Sequence, residues 1–379
     1  MQSGTSAFVR SPSNSREAAP EATVVRTSTA SRRIALVDEA KAIGIVLVVV
    51  GHASGITPVA ATLIYAMHMP LFFFLSGYLL SAERVARPLA EHVRRLMRDL
   101  LGPYVIFFAG SFAYWLLSLR WGGRAEKFSG VSWFDPLLGF ASGLADRLIV
   151  NPALWFLPCL FTTMLLYLAL RKWVGPRATM AIALTAGLIC MVYLPAADMR
   201  LPWGLDIAWV AMIFLAAGSL LRDAGVNMAP GSRVVRATAL PLLLLTFVAL
   251  ALHMGRVDLN AAHFGPSPLL YLACAILGIA FVLQLASLSR AARGLTSWLA
   301  FNSLIIFGTH PVTMNFSAGV ARLGFGASDH FLHSTTWLVL SSLIGIAAAA
   351  PIGFALRRLL PQIFARHPAP RVAQPASTS

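Results

Sequence analysis

A small set of ionisable residues inside one apolar stretch opens the chemical reading. Residues 34–53, IALVDEAKAIGIVLVVVGHA, carry Asp38, Lys41 and His52 among aliphatic side chains. A neutral imidazole takes up a proton near physiological pH, so His52 is a candidate general base for a hydroxyl nucleophile. Lys41 stands eleven positions before it. On a helix, that spacing points the two side chains within roughly 20° of each other and about 16 Å apart along the axis. Asp38 lies roughly 60° round from Lys41, and Glu39 faces away. One helical stripe thus joins a charged pair to an imidazole, and ionisable groups placed inside an apolar span mark a pathway or a reaction site.

Other polar groups in apolar surroundings extend the set. His68 precedes Pro70, His310 precedes Pro311, and Asn302, Asp206, Trp155 and Trp203 lie in or beside further apolar stretches. Asp206 is a candidate orienting partner for His52. His68 and His310 are candidates to bind acceptor hydroxyls, or else buried histidines bonded to neighbouring helices. Trp155 and Trp203 offer ring faces to a saccharide, or form part of an interfacial aromatic belt. Residues 83–102 place Leu89, Val93, Leu96 and Leu100 on one face and Arg87, Arg94, Arg95 and Arg98 around the other. Such a basic amphipathic segment suits coenzyme phosphates or anionic lipid headgroups. Cys159, Cys190 and Cys274 have no metal-ligand spacing, and no metal is expected. Walker A, dinucleotide, His-Glu-x-x-His and Gly-x-Ser-x-Gly motifs are all missing from the chain.

The elements that must position these residues are membrane spans. With 58% hydrophobic and 12% charged residues, the 379-residue chain falls far from soluble domains, where about a quarter of residues are charged. Ten apolar segments are expected to be helical: 34–53, 59–80, 103–119, 152–170, 178–194, 205–221, 237–253, 267–286, 298–316 and 335–356. The fold class is therefore all-α, a polytopic integral membrane protein with about ten transmembrane helices. The net charge of +15 does not point to nucleic acid, because the basic residues cluster between spans. Alternate loops carry Arg84 to Arg98, then Arg171, Lys172 and Arg177, then Arg222, Arg233 and Arg236, then Arg290 and Arg293, then Arg357 and Arg358. The positive-inside rule then puts both termini in the cytoplasm, with Arg120, Arg124, Lys127 and Arg147 as exceptions in the long outer segment 120–151. A disordered polar arm is expected over 1–31, one membrane domain over 32–360 and a polar tail over 361–379. In this topology, Asp38, Lys41 and Asn302 lie toward the cytoplasm, and His52, His68, His310, Trp155 and Asp206 toward the outer face.

The motifs now stand in an order that resembles the membrane-embedded acyltransferase 3 family, most closely its branch of sugar O-acetyltransferases similar to fucose 4-O-acetylase. VDEAKAIGIVLVVVGH, YAMHMPLFFFLSGYLL, RRLMRDLLGPY, LWFLPCLF, LPWGLDIA and FNSLIIFGTH carry the resemblance, which covers residues 34–356. It implies a ten-span fold in a bacterial inner membrane and an acyl-CoA donor, with acetyl-CoA the simplest, used from the cytoplasm. It also implies transfer to a hydroxyl of a cell-surface or lipid-linked saccharide. The family's essential histidine corresponds to His52. Its first-span arginine corresponds to Lys41, a point charge without the guanidinium fork.

On this reading His52 is the base or is itself briefly acylated, with Asp38 and Lys41 in the catalytic stripe. Lys41, Arg94, Arg95 and Asn302 hold the donor, Asn302 or Ser76 serves the oxyanion, and His68, Trp155, Asp206 and His310 bind the acceptor. Membrane lipids are the remaining partners, nucleic acid is not one, and oligomeric state is left open. A glycan or lipid transporter without covalent chemistry is the competing class, and the lack of visible inverted repeats counts against it.

Overall fold

The computed structural model describes residues 21–121, 130–197, 199–226, 228, 231–289 and 293–364. The expected basic loop positions Arg124, Lys127 and Arg290 lie outside the described residues, as do residues 1–20 of the expected arm and 365–379 of the expected tail. Among the described residues there is no strand, only an isolated bridge between Asp258 and His263.

The chain order begins α1 (Glu21–Gly51), α2 (Pro58–Tyr78), α3 (Ala82–Val85), α4 (Leu89–Leu96), a π-helical turn (Met97–Leu101), α5 (Gly102–Trp121) and α6 (Asp135–Ser142). It continues with α7 (Phe156–Tyr193), α8 (Leu205–Asp223), α9 (Arg233–Met254), α10 (Pro268–Leu288) and α11 (Arg293–Phe325). The last four are α12 (Asp329–Leu332), α13 (Thr335–Ala347), α14 (Ala349–Leu359) and α15 (Pro361–Phe364). Local chemistry marks the starts. Thr57 caps α2 by accepting from the Ala60 amide, and Pro58, which lacks an N–H, takes the first turn. Phe364 in α15 is buried and packs edge-on against Phe107.

Seven helical segments are long and apolar enough to cross a membrane, against the ten apolar stretches expected. All ten stretches are helical, and two causes explain the difference. The fourth and fifth fall within one apolar segment, Pro152–Ala196. It folds back at Gly175, whose φ of 79° only glycine adopts readily. Cys159 touches Gly204 at the start of α8, Arg171 pairs with Asp223 at its end, and Gly187 lies against Trp209 and Ile213 on the way back. The first and ninth stretches, in α1 and α11, are too polar to be counted, because they carry Asp38, Glu39, Lys41 and His52, and Asn302 and His310.

Those two helices pack on each other. α1 packs on α11, α2, α10 and α13, and α11 also meets α13, α14 and α5. The apolar α9 stands at the rim, with only 11% of its span buried. The place of α9 follows from solvation: a lipid-facing position costs an apolar helix nothing.

Small residues set the closest approaches. A Cβ at Gly77 of α2 would lie 1.8 Å from the Leu215 carbonyl oxygen of α8, and one at Gly218 of α8 would lie 2.0 Å from the Phe74 carbonyl oxygen of α2. The two backbones touch through reciprocal glycines, the interface chemistry that replaces hydrophobic driving force in lipid.

Candidate active site

Three imidazoles meet where α1, α2 and α11 converge. His52, one residue past the end of α1, lies with its ring centroid 5.1 Å from that of His310, edge to face. Tyr65 bridges the other side, 6.4 Å from His52 and 5.1 Å from His68. Tyr65 and His68 share a face of α2, three residues apart.

Each histidine is oriented by a carbonyl of its own helix. Nδ1 of His52 lies 2.8 Å from the Val48 oxygen, Nδ1 of His68 2.8 Å from the Ile64 oxygen, and Nδ1 of His310 2.9 Å from the Phe307 oxygen and 3.0 Å from that of Ile306. A carbonyl only accepts, so Nδ1 carries the hydrogen in each ring and Nε2 of the neutral ring is the basic nitrogen. Two of these contacts follow from the sequence. The Val48 carbonyl belongs to the last turn of α1, where backbone partners run out. The Phe307 carbonyl loses its usual donor because Pro311 has no N–H, and the neighbouring imidazole supplies one.

The three differ in access. His52 is exposed, whereas His68 is 4% and His310 0% exposed. Nε2 of His310 is buried with no hydrogen-bond partner, an acceptor beside the His52 ring. Trp155, expected to touch the acceptor, is buried and reaches His310 only through Phe156 and Phe307, at successive centroid distances of 6.2, 5.5 and 6.4 Å. Trp203 packs its ring edge-on to Phe161 and donates its indole N–H to the Ala141 carbonyl.

The connection between α9 and α10, residues 255–267, closes over this cluster. Its core is a hairpin in which Asp258 and His263 exchange backbone hydrogen bonds, with Ala262 at φ 55° completing the turn. Asp258 Oδ1 accepts from the amides of Asn260 and Ala261. Its negative charge reaches His52, Tyr65 and Tyr271. The Arg256 guanidinium lies over the Tyr65 ring, 4.6 Å from its centroid. Asp206, expected to orient His52, is engaged elsewhere: Oδ2 lies 2.5 Å from Arg200 Nε, and its two oxygens also accept from the amides of Leu201 and Ile207. Arg200 in turn donates to the Asn260 carbonyl at 2.7 Å, so the pair anchors the 255–267 connection to α8. The carboxylate whose charge reaches His52 is therefore Asp258, while Asp206 supports the loop that carries it.

The other candidates lie toward the opposite end. Asp38 and Lys41 are half-buried on α1. Asn302 stands about 12 Å down α11 from His310. It is 1% exposed, with Nδ2 donating to the Trp298 carbonyl and Oδ1 accepting from Arg357. Its oxygen is taken by Arg357, which lies beside it, and one of its two amide N–H groups is taken by Trp298. Ser76 donates to the Phe72 carbonyl. Arg94 and Arg95 are exposed on α4, with Arg95 3.3 Å from Asp99. Leu96 is buried and Val93 half-buried, as the amphipathic pattern requires, and His92 shares the inner face. Arg84 and Arg222 donate to the successive carbonyls of Leu79 and Tyr78 at the end of α2. Burial, then the positive charges of Arg95, Arg222 and Arg87, hold the Arg84 guanidinium below its ordinary value. This end concentrates positive charge.

Tyr65, Arg256 and Asp258 escaped the sequence reading. Tyr65 carried a signal, since it lies on the same helical face as His68. Arg256 and Asp258 sit in a connection whose approach to α1 and α2 only the fold reveals. Among the described residues no group of three or more His, Cys, Asp or Glu side chains is placed to hold a metal ion. In comparison with protein families, the model for an acyltransferase domain matches residues 34–356, a span that takes in all six motifs. Comparison with curated proteins and with solved structures returned no match.

Proposed function

We propose that this chain, which belongs to the acyltransferase 3 family, moves an acyl group, acetyl in the simplest case, from a coenzyme A thioester to a saccharide hydroxyl, with His52 as general base. The basic end faces the cytoplasm of a bacterium and takes the donor from the side of Arg94 and Arg95. The pantetheine arm runs along α1 past Lys41, and the acceptor enters at the histidine end. As in the branch similar to fucose 4-O-acetylase, the acceptor is a cell-surface or lipid-linked glycan.

One observation carries the assignment of the base. His52 alone of the three imidazoles is exposed, and its Nδ1 is committed to the Val48 carbonyl, so the accessible nitrogen is the unprotonated one. In the reaction Nε2 takes the proton of the acceptor hydroxyl as its oxygen attacks the thioester carbonyl. The tetrahedral adduct then collapses, the carbon–sulfur bond breaks, and the departing thiolate receives that proton from the imidazolium. The ring need not turn between steps, because Nδ1–H stays on the Val48 carbonyl throughout. The Asp258 carboxylate offsets the positive charge that the ring gains. His310 packs edge to face on the His52 ring and holds it in place beside the acceptor.

The test is mass spectrometry of surface glycans from a deletion strain complemented with wild type or His52→Ala, each shown to reach the membrane. Loss of the acyl mass with the alanine variant is expected. Equal acylation by the variant removes His52 from the chemistry, and altered glycan export with no acyl difference replaces transfer by transport.

A further inference from the structure

Arg256 has a position that acyl transfer to a neutral sugar does not use. It projects from the 255–267 connection at the histidine end, is exposed, and stacks on Tyr65, which itself touches His52 and His68. It takes part in no ion pair among the described residues, whereas Arg200 in the neighbouring loop is tied to Asp206. Asp258, two residues along, has one carboxylate oxygen committed to the amides of the turn. Contact with Tyr65 engages part of the guanidinium, and with five N–H donors a fork remains for a bidentate partner. The connection that carries it is anchored by Arg200 to α8, so the guanidinium is presented from a supported backbone.

We propose that Arg256 recognises an oxyanion on the acceptor, a sugar carboxylate or a phosphate, and so restricts the enzyme to acidic or phosphorylated saccharides. The inference rests on the acceptor entering at the histidine end. Tyr65 holds the guanidinium to one side of His52, so an acceptor gripped by its anionic group presents a neighbouring hydroxyl toward Nε2. Carboxylate and phosphate share the planar or tripodal oxygen geometry that a guanidinium fork matches.

Three probes that differ only at C6 separate the outcomes: hexyl β-glucoside, hexyl β-glucuronide and hexyl β-glucoside 6-phosphate. Equilibrium binding of each to the purified full-length protein, and acyl transfer to each from acetyl-CoA read by mass, are measured side by side. Wild type is expected to bind one of the anionic probes at least about tenfold tighter than the neutral one, and the preferred probe names carboxylate or phosphate. In Arg256→Ala the ratio of the affinities is expected to fall close to one. In Arg256→Lys, which keeps the charge without the fork, the preference shrinks but persists, and this variant serves if alanine does not fold. Equal binding of all three probes by wild type, or a full preference retained in either variant, overturns the proposal. An anionic preference without acyl transfer removes the acyltransferase reading and leaves the oxyanion site. Transfer without preference does the reverse.

Discussion

Replacing Gly77 with alanine would place a methyl carbon 1.8 Å from the Leu215 carbonyl oxygen and 2.7 Å from its carbonyl carbon. These are backbone atoms of a helix, which cannot rotate away as a side chain would. Ordinary contact begins near 3.4 Å, so α2 and α8 would have to separate by about 1.6 Å, a shift that overpacking data put at roughly 1–3 kcal/mol or more. The reciprocal contact of Gly218 with the Phe74 carbonyl oxygen would open with it. Because α2 also carries Tyr65 and His68, the shift reaches the histidine cluster, and a misplacement of about 1 Å can cost on the order of a hundredfold in rate. The assay is thermal unfolding of the purified protein in detergent alongside acyl transfer. Gly110→Ala is the control, since a Cβ there meets nothing within 4 Å, and in a helix alanine gains about 0.5–1 kcal/mol over glycine. We expect Gly77→Ala to lower the unfolding temperature and the transfer rate, and Gly110→Ala to lower neither. A Gly77→Ala protein as stable and active as wild type would refute the close approach of α2 and α8.

Three further expectations follow from the site. Pro311→Ala returns an N–H to the Phe307 carbonyl and displaces the His310 ring from it, so transfer falls by about tenfold or more. Stability does not fall, since proline inside a helix costs about 3 kcal/mol; an unchanged rate would show that the carbonyl does not orient His310. Arg200→Ala strands the Asp206 carboxylate, 4% exposed, and should cost about 3 kcal/mol. It should also speed amide hydrogen exchange across 255–267, read by mass spectrometry, and equal exchange there would dismiss the anchoring role. Transfer should decline on acidification as the His52 imidazole becomes protonated, because the proton then occupies the nitrogen that must accept one. A rate that rises steadily on acidification would exclude neutral imidazole as the base.

Much of this was legible without coordinates. The ten apolar stretches are all helical because a 3.6-residue repeat and an excess of apolar side chains are local properties of the chain. The proline beside His310 was equally visible, because a missing N–H leaves a known carbonyl unpaired. His52 stood out because an imidazole at the end of an apolar span has few structural reasons to be there. What the residues did not disclose was which helices would pack together, because neighbours depend on how all the helices share the available surface.

The same division holds within the site. The sequence by itself determined the helical spans, the stripe from Lys41 to His52 and the presence of three histidines in apolar surroundings, since each is set within one helix. The tertiary structure decided that His52 meets His310, that Tyr65 lies between His52 and His68, and that Asp258 rather than Asp206 brings its charge to His52. It also decided that Asn302 spends its amide on Trp298 and Arg357. Each of these joins separate elements or depends on a partner far along the chain. Asp206 stood out in the sequence and Asp258 did not, and only the position of Arg200 shows that the Asp206 carboxylate was already taken.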